Sequence, residues 1–267
     1  MTLNVRPGYL WNETVWNPSM IRTALWLDAA DSSTVITVGS NVSQWNDKSG
    51  NARNVTQSIS SIRPVNTTTI NTLTAIGFDG VDDYLRNNAA GLPTGSSART
   101  IFVIYQPLRV GSNVNSICGQ GFAQLPPPGG PAVSAGSWFM LQHRNLSVKG
   151  DPYFAGYASD LTDSSNPSLD AKIASIQYNG TQASLFRNGT QIAQANLSLN
   201  TTGDSFHIGV SPQTDEWAHV KVGEIVFISS STDNTSRQRM EGYLAHKWGL
   251  EANLPADHPY KTTGPTP

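Results

Sequence analysis

Cysteine occurs once, at Cys118, so no disulfide can form within the chain and the fold must be held by its core. Ile117 and Phe122 lie close to it in sequence, which points to a buried, inert thiol. Charge is scarce as well: 13% of the 267 residues, with 17 Lys and Arg against 19 Asp and Glu. Without a basic field there is nothing to attract nucleic acid or an anionic lipid surface, and neither is expected as a partner. No apolar run approaches the ~20 residues of a membrane span, so membrane insertion is not expected. The opening MTLNVRPGYLWNET lacks a basic stretch followed by an apolar segment; no secretory signal is read there, and synthesis in a cytoplasm is expected.

Catalytic arrays are missing too. A glycosidase needs two carboxylates ~5 to 9.5 Å apart across the scissile bond. Glu13, Glu216, Glu224, Glu241 and Glu251 form no alternating acidic strand, and adjacent Asp215 and Glu216 would point to opposite faces of extended chain. His143, His207, His219, His246 and His258 show no metal-ligand spacing, and neither a nucleophile elbow nor a phosphate-binding glycine loop occurs. The expectation is a non-enzymatic protein.

What is present is β-strand punctuated by turns. TALWLD (23 to 28), RTIFVIYQPL (99 to 108), KIASIQYNG (172 to 180) and QASLFRNGTQIAQAN (182 to 196) have strand length and composition, and Asn188-Gly189 marks a hairpin turn. One amphipathic helix follows Ile225 to Ile228: Thr235 or Ser236 as cap, Met240, Tyr243, Leu244, Lys247 and Trp248 on one face, and Gly249 as terminator. The fold class expected is all-β, an antiparallel two-sheet β-sandwich of jelly-roll type with one short C-terminal helix, spanning 21–267. Residues 1–20 form an arm whose Tyr9, Leu10, Trp11 and Trp16 are assembly candidates, since exposed aromatics at a chain end seek a surface.

Trp26, Trp45, Phe78, Phe102, Phe139, Phe186 and Phe227 are expected to fill the ~10 Å gap between sheets. Asp28, Asp47, Asp79 and Asp82 sit at strand ends, where a carboxylate accepts loop N–H groups. Asp82 and Asp83 are the weak candidate pair for calcium, the one cofactor considered, although calcium takes 6 to 8 oxygens. Trp138, Tyr153, Tyr157 and Trp217 are candidate ligand-binding platforms for stacking on sugar rings. A proline-rich loop spans 125 to 131.

LWLDAAD (25 to 31), WNDKSG (45 to 50), FDGVDDYL (78 to 85), TIFVIY (100 to 105), SLFRNGTQI (184 to 192), FHIG (206 to 209), GEIVFI (223 to 228) and EGYLAHKWGL with LPADHPY behind it share an order. That order resembles the concanavalin A-like, laminin G-like jelly roll of bacteriophage tail, fibre and virion proteins, over about residues 16 to 262. The resemblance implies a virion surface component, made in a host cytoplasm, that binds host surface glycan. It would meet other virion proteins through its arm and form a homo-oligomer. The alternatives are a structural decoration or connector protein without ligand, and a glycan hydrolase; the fold hosts all of these.

Overall fold

A computed structural model describes residues 15–88, 91–111, 114–121, 134–203, 205–213 and 216–267. Its first strands are β1 (Leu25–Asp28), β2 (Val35–Val38), β3 (Asn41–Trp45), β4 (Val55–Thr56), β5 (Val65–Ile70), β6 (Leu73–Asp79), β7 (Leu85–Asn87) and β8 (Arg99–Pro107). There follow β9 (Val114–Gly121), β10 (Phe139–Asn145), β11 (Lys149–Ala155), β12 (Lys172–Tyr178), β13 (Gln182–Arg187), β14 (Thr190–Asn196), β15 (Ser205–Ile208) and β16 (His219–Ile228). The helix α1 (Asn234–Trp248) comes last.

All strand pairings among the described residues are antiparallel, and they form one ladder in the order β11-β10-β9-β15-β7-β4-β3-β5-β6-β16-β8-β12-β13-β14, with β1 added to β16 and β2 to β3. The protein is therefore all-β, built on a large antiparallel sheet. That ladder folds over on itself, because alternate residues of its two ends bury into one core. Ile117, Phe139, Leu141, Phe154, Phe206 and Ile208 come from one end, and Ile101, Val103, Ala174, Leu185, Ile225 and Phe227 from the other. Phe227 meets Phe139 and Phe206 across this core at ring distances of 6.5 and 6.1 Å.

The outside of the β16-β8-β12 end carries a second core. Trp26, Phe102, Ile104, Val226 and Ile228 pack there against Met240, Tyr243, Leu244 and Trp248 of α1. Three sequence expectations change as a result. Trp45, Phe78, Phe139 and Phe227 fill the inner core, but Trp26 and Phe102 face the helix. Phe186 is buried outside both cores, with the Arg237 guanidinium 4.2 Å over its ring. Asp233, rather than Thr235 or Ser236, caps α1 by accepting from the Ser236 N–H at 2.7 Å, while Gly249 ends it at φ 67 as expected of a left-handed cap.

A bulge decides how the helix is held. Between Val222 and Glu224 the register of β16 shifts, which turns Glu224 out of the inner core toward α1. Gly223 stands at the shift because a Cβ there would come 2.7 Å from the Trp248 ring. Glu224 then accepts from Trp26 Nε1 (2.7 Å), Tyr243 Oη (2.9 Å), Lys247 Nζ (2.7 Å) and Trp248 Nε1 (2.8 Å). Lys247 also pairs with Asp28 at 2.7 Å, and Asp28 with Lys48 at 2.9 Å. Burial pushes the Asp28 carboxyl up, but Lys247 and Lys48 outweigh it and hold it below the usual carboxylate range.

Trp16 is 3% exposed, edge-on to Tyr243 at 6.0 Å. Tyr9, Leu10, Trp11 and the proline-rich loop lie outside the described residues. Cys118 is fully buried in the inner core, which pushes its thiol pKa far up.

Candidate functional site

The opposite outer surface, on β11-β10-β9-β15-β7, has no helix over it among the described residues. Register fixes what it carries. Gly119 on β9 is paired with Met140 on β10 and His207 on β15, Met140 with Ala155 on β11, and His207 with Arg86 on β7. Because directly opposed residues share a face and Phe139, Leu141, Phe206 and Ile208 point inward, this row points outward. The next outward row, after a bulge in β9, is Tyr153, Gln142 and Ser116. Trp138 precedes the first row and leans over Gly121, where a Cβ would lie 2.9 Å from its ring and 2.7 Å from Pro212.

Aromatic side chains gather here. Trp138, Met140, Tyr153 and Ala155 form a cluster separate from both cores, with Tyr157 against it. The Trp138 and Tyr157 rings are 5.1 Å apart, and Tyr157 is held in the left-handed region at φ 55, a conformation that non-glycine residues adopt at a cost. Arg144 lies 4.6 Å over the Tyr153 ring. Three of the four sequence-selected platforms thus share one face. Tyr153 is within β11, and Trp217 stands apart, half-buried against Tyr84 at 6.1 Å.

Polar groups on this face are incompletely paired. Trp138 Nε1, Gln142 Oε1, Arg144 Nε and His207 Nδ1 are buried and have no hydrogen-bond partner among the described residues. Trp138 is 4% exposed, Gln142 1% and His207 0%. A buried polar group left unpaired costs ~1–3 kcal/mol, so several on one face oppose stability. Two carboxylates stand beside them. Glu216 accepts from Gln142 Nε2 at 2.6 Å and Ser116 Oγ at 3.2 Å, and Asp160 accepts from the Tyr153 hydroxyl at 2.7 Å. Burial, with the Arg86 charge beside it, pushes the His207 pKa down to about 3, so the ring is neutral.

A buried ionic knot braces this face from within. His143, next to Gln142 but pointing inward, has its Nδ1 3.0 Å from Asp151, which also accepts from Lys172 Nζ at 2.6 Å and the Tyr105 hydroxyl at 2.8 Å. Burial pushes the Asp151 carboxyl up, but His143 and Lys172 outweigh it and hold it well below the usual range. The knot ties β10 and β11 to β8 and β12, so the platform cannot slide over the core.

Asp82 and Asp83 belong to a different place. With Asp79 they bring three carboxylates within 4.8 Å of one another, at the turn after β6. Asp79 Oδ1 accepts from the Val81 and Asp82 N–H groups at 2.8 and 3.3 Å, and Asp83 Oδ2 from the Asp79 N–H at 3.1 Å. Burial, then the charges of Asp79 and Asp82, push the Asp83 pKa up to about 6. Three carboxylates carry six oxygens, and two of these, Asp79 Oδ1 and Asp83 Oδ2, already hold the turn, which leaves four against the 6 to 8 of a calcium shell.

Sequence reasoning missed Gln142, His207 and Glu216. The alternation in FMLQH gave a signal for Gln142, since it falls opposite in phase to Phe139 and Leu141. The other two depend on which strands become neighbours.

No family model matches this sequence, and no curated protein does. Solved structures do match the fold. An arabinofuranosidase complexed with arabinofuranosyl-alpha-1,2-xylobiose aligns with TM-score 0.59 at 14% identity, over 88% of this chain and 61% of that one. A GH54 α-L-arabinofuranosidase soaked with a cyclic sulfate inhibitor gives 0.58 at 14% identity, over the same shares. Domain 4 of AbnA, a GH43 extracellular arabinanase from Geobacillus stearothermophilus, in complex with arabinotriose, gives 0.54 at 10% identity, over 80% of this chain and 95% of that domain. The chain therefore spans about three-fifths of the arabinofuranosidases it matches, and at such identities the likeness is one of fold. It corrects the expectation of a non-enzymatic virion surface protein. These chains are glycosidases and an arabinanase domain holding an oligosaccharide, and nothing in the likeness supports a virion role.

Proposed function

We propose that the chain is a jelly-roll β-sandwich, its ladder closed into two facing layers, that engages a neutral glycan on the outer face of β11-β10-β9-β15-β7. The observation that carries this is the set of unpaired buried groups: Trp138 Nε1 is a donor, Gln142 Oε1 and the neutral His207 ring offer acceptors, and aromatic rings flank them. Sugar hydroxyls both donate and accept, and sugar C–H faces stack on aromatic rings; a site with apolar walls and a few convergent polar groups suits them. Arg86 and Arg144 against Glu216 and Asp160 leave these charges balanced, which favours an uncharged ligand. Arabinotriose, held by one protein of this fold, is the first compound to try. Isothermal titration with arabinotriose and other neutral oligosaccharides should give binding that Trp138→Ala and Tyr157→Ala each weaken at least tenfold. Equal affinity in wild type and both variants would rule out this face.

A second reading, hydrolysis of the bound glycan, is favoured by Glu216 and Asp160. They are bonded to Gln142 and Tyr153, which are direct cross-strand partners, so two carboxylates border one stretch of the platform. On that reading reducing ends are released from an arabinan by the wild type and not by Glu216→Gln. Binding without release in both would leave recognition as the whole function.

A further inference from the structure

The hydrogen bond between Ser205 and His207 gives the proposed glycan face a direction. Ser205 and His207 are two apart on β15, so both point outward, and Ser205 is opposite Gly121 as His207 is opposite Gly119. The serine Oγ lies 2.8 Å from the Gly121 carbonyl oxygen, which can only accept. A hydroxyl has one proton. Once that proton is given to the carbonyl, Oγ meets His207 Nε2 with a lone pair, so Nε2 must carry the hydrogen. The ring is neutral, because burial and Arg86 push its pKa down to about 3. Its other nitrogen, Nδ1, is then a bare acceptor, buried and without a partner among the described residues. Gly119 beside it has no side chain to compete for that lone pair.

We propose that Ser205 is a positioning residue that locks His207 in its Nε2–H tautomer, so that Nδ1 accepts a hydrogen bond from a ligand hydroxyl. This deepens the glycan reading and rests on it: the ligand must present an O–H toward β15, and an analogue with that hydroxyl replaced by hydrogen or by a methyl ether loses the contact. Gln142 Oε1, on the neighbouring outward row, makes the same demand, so this part of the platform selects ligands with adjacent free hydroxyls.

The tautomer can be read without any ligand. Long-range proton–nitrogen correlation spectra of ¹⁵N-histidine-labelled protein should show His207 with a pyrrole-type Nε2 and a pyridine-type Nδ1. In Ser205→Ala the pattern should shift toward the other tautomer or a mixture, and affinity for the neutral oligosaccharide that binds best should fall about tenfold, the size of one net hydrogen bond. Ser205→Thr, which keeps the hydroxyl, should restore both. A protonated Nδ1 in the wild type overturns the inference while leaving the glycan face standing. An unchanged tautomer and affinity in Ser205→Ala, with its fold verified by the same spectrum, overturns it too. If no neutral oligosaccharide moves the His207 or Trp138 resonances, the glycan reading fails instead, and the tautomer measured in the free protein stands as a separate result.

Discussion

The two outer faces of the folded ladder are built in opposite ways. On one, α1 covers β16 and β8, and Glu224 is fully committed: four donors, all from buried residues, converge on its two oxygens. On the other, Trp138, Gln142 and His207 are equally buried and each leaves a polar atom unpaired among the described residues. Both faces carry tryptophan and tyrosine beside charged groups, so composition does not separate them. Saturation does. A satisfied network fixes one arrangement of the chain, whereas an unsatisfied one reserves hydrogen bonds for something outside it.

The hardest test of that contrast is Glu224→Leu. It leaves Lys247 with only Asp28 and the Tyr243 hydroxyl and strips partners from two indole N–H groups, so unfolding by urea should show a loss of about 3–5 kcal/mol. A loss below about 1 kcal/mol would mean the helix-side network is not what holds α1.

Acid should separate the faces by pH window. His207 binds a proton in the unfolded chain below its ordinary pKa near 6.5 but in the folded one only below about 3. Stability should thus fall as pH drops from 6.5 toward 3, by up to about 1.4 kcal/mol per unit. Asp28 is held below its ordinary 3.8, so its contribution is present above that value and is lost at more acid pH. Asp83 works the other way: raised to about 6, it adds stability that is full below 3.8 and lost as pH rises through 6. Subtracting the profile of His207→Asn from that of wild type should isolate the first window; parallel profiles between pH 6.5 and 4 would show that His207 is protonated in the fold.

Gly249→Ala touches only the sealed face. At φ 67 a Cβ is strained, and the end of α1 should loosen at a cost of about 1 kcal/mol, with Gly249→Asn costing less because asparagine tolerates this conformation. Equal stability of all three proteins in urea would show that the cap is not needed.

The sealed face was the legible one. Asp233 to Gly249 is continuous in sequence, and periodicity with the glycine stop suffices to find the helix, its buried face and its terminator, while the N-cap falls at Asp233, ahead of Thr235 and Ser236. The strands and the Asn188-Gly189 turn were legible for the same reason. The ladder order was not, since β9 pairs with β10 and β15 across gaps that no local rule spans. The candidate site inherits that difficulty: Trp138, Tyr153 and Tyr157 stood out as aromatics, but His207 and Gln142 matter only because Gly119 and Ser116 bring their strands together. Burial was the other hidden variable. Alternation says that Trp26 and Phe102 are inside, and only the bulge at Gly223 and the helix behind it decide which core receives them.

The smallest effect on stability gives the sharpest contrast. Gln142→Leu removes Nε2 bonds to Ser116 and Glu216, and it also removes an oxygen that had no partner. Glu216 is half-exposed and can turn to solvent, so the loss of its bond costs little, while taking an unpaired amide oxygen out of a buried position returns free energy. The two nearly cancel, and urea unfolding should agree with wild type to within about 0.5 kcal/mol, or exceed it. Affinity for the neutral oligosaccharide should nonetheless fall at least tenfold. This is the reverse of Glu224→Leu, a large change in stability at a residue remote from the ligand. A destabilisation of several kcal/mol by Gln142→Leu would mean that its amide belongs to the scaffold, and the two faces would then differ in degree rather than in kind.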